Sequence, residues 1–490
     1  MIQRVDYTKL ALMVVADQCR KSFFFFVQTF WDVIIKEEPT YNWHIPFLCE
    51  ELQKLSVSIV ERKPKPYDLI VNIPPGTTKS TIVTIMWPVW LWVQDATLRI
   101  ITNSYSGGLS IEHATKSKDI IQSDKFRALF PHIQIRKDKS GKQNYENTET
   151  GYRYATSTGA TITGFHAHVI INDDPVNPKQ AESEPLRVQA NEHTKTLSSR
   201  KVDKANTPVV TIMQRLHEED VTGYMLKKKG ENIRHICLPA EDCDDVKPSE
   251  LRSKYIDGLL DPKRLNRTVL QEAMVDLGSR GYAGQYMQTP SADGGNIIKE
   301  NWFRRISYAD FRALRFNEPI HFFLDTAYDE KKKKTDNDPS GIMAACRIRN
   351  NIYITHAKKV WKEFPDLLKF LPEYLYANDY DESLSTLRVE PKANGKSVVQ
   401  QLEESTDLNV TYTPTPTDSK GVRLHGISPK VECGRVYIVD GDWNDDFVDE
   451  VCGFPTKAHD EYVDLLVYAV NYFSEDDIDI PDNVDALFNY

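Results

Sequence analysis

The stretch Asp68-Leu69-Ile70-Val71-Asn72-Ile73-Pro74-Pro75-Gly76-Thr77-Thr78-Lys79-Ser80-Thr81 decides how the first half of this chain folds. Its first six residues are a short, mostly apolar run, the pattern of a buried strand. Pro74 to Gly76 break that run, and Ile82 to Trp92 are apolar enough for a helix behind it. A strand that turns tightly into a helix aims backbone N–H groups at phosphates, with a Lys for the β- and γ-phosphates and a hydroxyl for Mg²⁺. Lys79 and Ser80 hold those two places, and Gly76, Thr77 and Thr78 form the cradle. Ile73 and Thr78 stand where the two glycines of the full G-x-x-x-x-G-K-[ST] pattern would be, so a plain Pro-Gly turn is the competing reading.

A second apolar run, His168 to Asn172, ends in Asp173-Asp174-Pro175, the layout of a strand that delivers two carboxylates to a nucleotide. Asp173 is expected to hold Mg²⁺ and Asp174 to polarise the attacking water. A third run, Thr207 to Met213, ends in Gln214-Arg215. Gln214 is the expected coupling residue that senses the γ-phosphate, and Arg215 its possible charge partner; a strand followed by an exposed helix cap is the alternative.

In the second half, Ile320 to Asp325 reads as a strand ending in Asp, Ser340 to Ile348 with Asn351 to Thr355 as a hairpin, and Thr386 to Glu390 as a strand ending in Glu. His459-Asp460-Glu461 through Asp464 open a helix rich in acids. Two-metal phosphodiester cleavage needs a small cluster of carboxylates around a pair of divalent ions. The order strand-Asp325, strand-Glu390, helix-Asp464 supplies one, although any single acid in a chain with 71 of them reads first as a solvated surface group. Lys331 to Lys334 form a run that is either a solvated loop or a phosphate contact.

With 490 residues the chain exceeds a single core, so two domains are expected. At 40% hydrophobic and 27% charged residues the composition is that of a globular protein. Phe23 to Ile35 is interrupted by Gln28 and Asp32, which favours an amphipathic helix over a membrane span. No signal-peptide pattern precedes it, so a cytoplasmic location is expected, neither secreted nor membrane-bound. The seven cysteines show no C-x-x-C spacing, which argues against a zinc site or disulfide framework. From Asp440 onward 15 acidic residues face a single lysine, which accounts for the net charge of −10 and leaves the body of the chain slightly basic. Such a balance does not suggest tight equilibrium binding to nucleic acid through many phosphate contacts, which needs a concentrated basic stripe.

Taken together, PPGTTKST, NSYSGGLS, TGFHAHVIINDDP, TIMQRLHEEDVTGYML, YAGQYMQTP and GGNIIKENWF resemble the ATPase half of tailed-phage terminase large subunits. VEPKANGKSVVQQL, the Asp418 to Arg423 stretch, an expected hairpin at Gly434-Arg-Val-Tyr, Phe454-Pro455 and HDEYVDLLVYAV continue that resemblance through an RNase H-like nuclease. The family usually has Gly before the P-loop Lys, where this chain has Thr78, and His-Asp-Asp where it has His459-Asp460-Glu461; it also takes an arginine finger, in cis or from a neighbouring subunit, from between the two nucleotide motifs, for which the resemblance makes Arg127, Arg136 and Arg153 all candidates.

The resemblance implies an α/β fold of two domains, a P-loop ATPase of the RecA-like class and an RNase H-like nuclease. The expected boundaries are 1–290, a linker over 291–316, the nuclease over 317–474 and an acidic tail over 475–490. It implies ATP as substrate with Mg²⁺, Mn²⁺ being possible at the nuclease, and Asp325, Glu390 and Asp464 as metal ligands with Asp460 as an accessory ligand or an N-cap. Implied partners are double-stranded DNA, the portal protein of a procapsid, a small terminase subunit and, when docked, further copies in a ring, with a monomer possible in solution. Two other readings are a helicase-nuclease, which should carry a second RecA-like domain, and a catalytically degenerate adaptor that docks on a portal.

Overall fold

The computed structural model describes residues 7–229, 232–290, 297–326, 339–392, 395–457 and 459–475. Lys331 to Lys334, the Gly-rich centre of the expected linker and the tail after Glu475 lie outside them. The chain divides into two compact units, one of residues 1–274 with 279–293 and the other of 275–278 with 294–490.

The first unit is built on eight strands: β1 (Asp68–Asn72), β2 (Ile100–Ser104), β3 (Ile135–Ser140), β4 (Asn144–Asn147), β5 (Tyr152–Ser157), β6 (Val169–Asp173), β7 (Val209–Met213) and β8 (Ile233–Cys237). Their order is β3-β4-β5-β2-β6-β7-β1-β8, and from β5 to β8 every neighbour is parallel. Parallel strands need both faces covered, so they read as continuous apolar runs. Alternate residues of each strand accordingly enter opposite cores, Leu69 and Val71 on one side and Ile70 on the other. The helix Phe23–Ile34, capped by Ser22, buries Phe23, Phe26, Val27, Phe30 and Trp31 against the first of these cores. No helix among the described residues is long and apolar enough to cross a membrane.

The second unit holds β9 (Arg304–Ile306), β10 (His321–Asp325), β11 (Ser340–Ile348), β12 (Asn351–Val360), β13 (Leu387–Val389), β14 (Val410–Tyr412) and β15 (Val436–Val439), ordered β14-β13-β10-β11-β12-β15-β9. The antiparallel run β10-β11-β12, with β13 and β14 joined in parallel to β10, is the RNase H-like sheet. Its two faces are covered by separate cores, one with the helix Glu461–Glu475 and one with the helices Phe364–Ala377 and Gly395–Ser405.

Two expectations need correction. The stretch to residue 316, expected as a linker, instead supplies β9, which pairs with β15, while Ile298 and Phe303 are buried in the core of this unit. Its apolar side chains have a face to bury, and a free linker would leave them in water. Nor does Gly434-Arg-Val-Tyr form a hairpin: Gly434, at φ +73, ends a helix and releases the chain into β15, which pairs in parallel with β12 and β9.

Candidate functional sites

In the first unit β7 lies between the P-loop strand β1 and the acid-bearing strand β6. All three run the same way, so the loop after β1, the pair Asp173-Asp174 and Gln214 emerge together at the carboxyl edge of the sheet, where open parallel sheets bind ligands. Ser80 Oγ donates to Asp173 Oδ1 at 3.0 Å, Lys79 Nζ lies 3.1 Å from Asp174 Oδ2, and the Gln214 N–H donates to Asp174 Oδ1 at 3.3 Å. The structure thus brings Lys79, Ser80, Asp173, Asp174 and Gln214 into one place.

The loop itself is held from several sides. Gly76 has φ +75 and Thr78 φ +60, so Thr78 adopts the left-handed conformation that glycine favours. A β-branched residue there is strained. Thr77 Oγ1 donates to the Pro74 carbonyl at 2.8 Å, and the Thr77 carbonyl accepts from His44 Nε2 at 3.2 Å. Burial keeps His44 neutral, lowering its pKa to about 4.

Behind the loop, Thr81–Met86 winds as a π-helix, a form often found at functional sites. Pro88 has no N–H to give to the Thr84 carbonyl one turn back, and Arg153 Nη2 donates to it instead at 2.8 Å. Arg153 also donates to Ser117, whose hydroxyl donates to the Ile85 carbonyl at 2.6 Å. Fully buried in this way, Arg153 braces the helix and does not offer its guanidinium to a neighbour. Arg136 is tied to Asp138 and Glu146, and Arg127 is exposed on its helix.

Burial, with Asp174 beside it, pushes the Asp173 carboxyl up to about 7. Its Oδ2 is buried without a hydrogen bond, 3.5 Å from His113 Nδ1, and burial lowers the His113 pKa to about 4. A buried carboxylate oxygen with no donor beside a serine hydroxyl fits a divalent cation. Arg215 departs from the expected coupling role: its Nε lies 2.9 and 3.1 Å from the two Asp220 oxygens. Asp220 also accepts from the Leu216 and Gly223 N–H groups, so this pair ties down the loop after Gln214. The Gln214 Oε1 is buried and unpaired.

In the second unit β10 and β13 are parallel neighbours, and the Glu390 N–H donates to the Leu324 carbonyl at 3.0 Å. Asp325 and Glu390 therefore leave adjacent strands at the same level. The helix Glu461–Glu475 crosses this sheet and carries Asp464 in its first turn. Gly341, paired with Asp325 in register, lets the helix approach, since a Cβ there would lie 3.0 Å from both Glu461 and Leu465. One oxygen each from Asp325, Glu390 and Asp464 lie within 4.8 Å of one another.

Burial raises the Asp325 carboxyl well above its usual range, and repulsion from Glu390 and Asp464 adds to the rise. Burial pushes Glu390 up as well, but Lys392 and the hydrogen bond shared with Asp325 outweigh it and leave the group lowered. Lys420 Nζ lies 2.8 Å from Asp464 Oδ2 and Arg423 Nη1 2.5 Å from Asp464 Oδ1. Glu390 Oε1 and Asp464 Oδ1 are nevertheless buried without a hydrogen bond of good geometry. Three converging carboxylates, each with an oxygen within reach of one shared position, fit a divalent metal.

Asp460 is not part of the cluster. It precedes the helix and pairs with Lys420, so its carboxylate is turned to that ammonium. Glu461, buried against Gly341, is likewise outside the trio. Glu450, which no motif singled out, accepts from the Tyr462 N–H at 2.6 Å and pairs with Lys359 at 2.7 Å, anchoring the start of the helix that carries Asp464.

Residues 380–473 match the family model described as the terminase RNaseH-like domain. No curated protein matches the chain. Among solved structures it is similar to the large terminase of the thermophilic bacteriophage D6E, with 12% identity over 86% of this chain and 99% of that one at a TM-score of 0.46. The HK97 bacteriophage large terminase shares 10% identity over 89% and 96% of the two chains at 0.36. The human cytomegalovirus terminase nuclease domain shares 15% over 36% and 94% at 0.28.

Proposed function

We propose that this chain, whose residues 380–473 match the terminase RNaseH-like domain, is a terminase large subunit, the motor of genome packaging. In this reading it hydrolyses ATP to drive double-stranded DNA into a procapsid and cuts concatemeric DNA with little sequence preference. The observation that carries the reading is that one chain holds two separate acid clusters, one beside a P-loop at the carboxyl edge of a parallel sheet and one where the ends of the parallel neighbours β10 and β13 meet the helix Glu461–Glu475.

At the first cluster Lys79 exchanges Asp174 for the β- and γ-phosphates of ATP. Asp174, freed of its ammonium, orients the attacking water and draws off its proton. Gln214, bonded to Asp174 through its backbone, is placed to register loss of the γ-phosphate and pass it to the loop that Arg215 and Asp220 stiffen.

Ser80 with Asp173, and Asp325 with Glu390 and Asp464, would hold the divalent ions, Mg²⁺ with ATP and Mg²⁺ or Mn²⁺ at the nuclease, which neutralise phosphate charge and activate water when bound. Lys420 and Arg423 hold the Asp464 carboxylate in position, and Lys392 does the same for Glu390. The partners that follow are DNA, a portal protein, a small terminase subunit and further copies of this chain in a ring, within the cytoplasm of an infected cell.

The test is a pair of substitutions in the full chain. Lys79→Ala should abolish ATP turnover and leave metal-dependent plasmid cleavage measurable; Asp325→Ala should do the reverse. Loss of both activities in either folded variant, or of neither, overturns the proposal.

A further inference from the structure

We propose that the cavity between the helix Glu461–Glu475 and β13 binds the phosphodiester next to the one that is cut, on the same DNA strand, with Arg388 as its positioning residue. The inference rests on the nuclease reading above and names how that site would take its substrate.

Side chains two apart on a strand share a face, and those four apart on a helix share a stripe. Arg388 therefore lies on the same face of β13 as Glu390, with Phe323 beside it in register. On the helix, Tyr468 and Tyr472 continue the stripe that Asp464 begins. These two rows form the walls of a cavity of about 200 Å³. Arg423 and Tyr468 line it, and Arg423 also touches Asp464, so the cavity shares a wall with the acid trio.

The lining is rich in donors. The Arg388 guanidinium lies 4.0 Å from the centroid of the Tyr472 ring and that of Arg423 5.8 Å from the centroid of Tyr468. In both arginines Nε is buried without a hydrogen bond. Thr415 and Thr417 bring hydroxyls and Asn471 an amide, while Asp418 is the one carboxylate in the lining. With Arg423 engaged by Asp464, the Arg388 guanidinium is the cation left to the cavity, and beside hydroxyls and an amide it suits an acceptor-rich, negatively charged group; a phosphate meets the planar fork of Arg better than any neutral ligand does. The volume admits one backbone unit and not a duplex. Because Arg423 lines the cavity and also touches Asp464, a phosphate seated here would neighbour one held at Asp325, Glu390 and Asp464.

The experiment compares the full chain with Arg388→Ala and the uncharged but less truncating Arg388→Gln. It reads binding of a labelled DNA duplex across a salt series with Ca²⁺ replacing the catalytic ion, steady-state plasmid cleavage, and the thermal unfolding profile. The expected result is a Kd and a KM each about tenfold higher, a log Kd against log salt slope smaller by about one, and kcat changed less than about twofold. Arg388→Lys should recover part of the affinity. Unchanged Kd and salt slope in a variant with native unfolding overturn the proposal, as does a loss confined to kcat. A parent protein that cuts no DNA with any divalent ion defeats the nuclease reading instead, and the binding series still decides the cavity.

Discussion

Lys79 Nζ lies 3.1 Å from Asp174 Oδ2, so the ammonium expected on a phosphate and the carboxylate expected on a water neutralise each other across the mouth of the nucleotide site. In the proposed function phosphate must separate them, which would tie ATP binding to release of the base. Asp174→Asn should therefore keep nucleotide affinity at or above that of the parent and lower turnover by about 10²-fold or more. Lys79→Ala should lose the affinity itself. Calorimetric titration with a non-hydrolysable analogue, alongside phosphate release, separates the two; an Asp174→Asn variant that still turns over normally removes Asp174 from the chemistry.

Asp173 and Asp325 are both held above the usual 3.8 by burial first and neighbouring acids second. A raised carboxyl in the folded state means that the native protein binds protons the unfolded chain releases. The associated stability is complete below pH 3.8 and is lost as pH rises, for Asp173 through about 7. With divalent ions removed, Asp325→Asn and Asp173→Asn should each raise the unfolding temperature at pH 8, with the gain shrinking as pH falls toward 4. Adding Mg²⁺ should narrow the difference at pH 8 by stabilising the parent. A gain that grows toward acid pH would reverse the assigned sign.

Thr78 sits at φ +60 in the loop before Lys79. Glycine has no Cβ to clash there, so Thr78→Gly should stabilise the first unit by roughly 1 kcal/mol, the strain relieved being partly offset by the freedom glycine gains when unfolded. Thr78→Ala keeps a Cβ and should not share the gain. Chemical denaturation of the three proteins side by side measures this, and equal behaviour of the Gly and Ala variants would show that the backbone is not strained at this position.

Most of the outline was readable from local pattern, for a physical reason. The stretch Asp68 to Thr81 is one strand, one turn and one helix start in sequence, and Asp173-Asp174 and Gln214 follow apolar runs that announce parallel strands. The trio of the second unit was readable only through the order of its elements, since no acid differs in kind from the surface acids around it. What was hidden depends on contacts distant in sequence. Nothing about His44 or Arg153 foretells that one holds the Thr77 carbonyl and the other replaces the N–H that Pro88 lacks. Arg304–Ile306 is a short basic segment without alternation, and it becomes a strand because β15 offers it a parallel edge. The Arg215–Asp220 pair is local, but nothing in the spacing of the two residues shows that the turn between them folds the carboxylate back onto the guanidinium.

Gly395 begins the helix after β13, and a Cβ built on it would lie 1.9 Å from the Glu390 carbonyl oxygen. No flexible side-chain end can yield there, because the atom met is backbone, so Gly395→Ala must push the Glu390 peptide away from its place beside Leu324. The Glu390 carboxylate would move with it, by something near an ångström, relative to Asp325 and Asp464. Misplacement on that scale costs about 10²-fold in a reaction that depends on alignment. Plasmid cleavage should fall by about that factor, with Mn²⁺ restoring more of it than Mg²⁺, because Mn²⁺ tolerates less regular ligand geometry. ATP turnover, housed in the other unit, should be unchanged within about twofold, which separates a local shift from general misfolding. Full cleavage by a folded Gly395→Ala protein would mean that Glu390 does not need its present position, and its membership of the metal-holding trio would fall with that result.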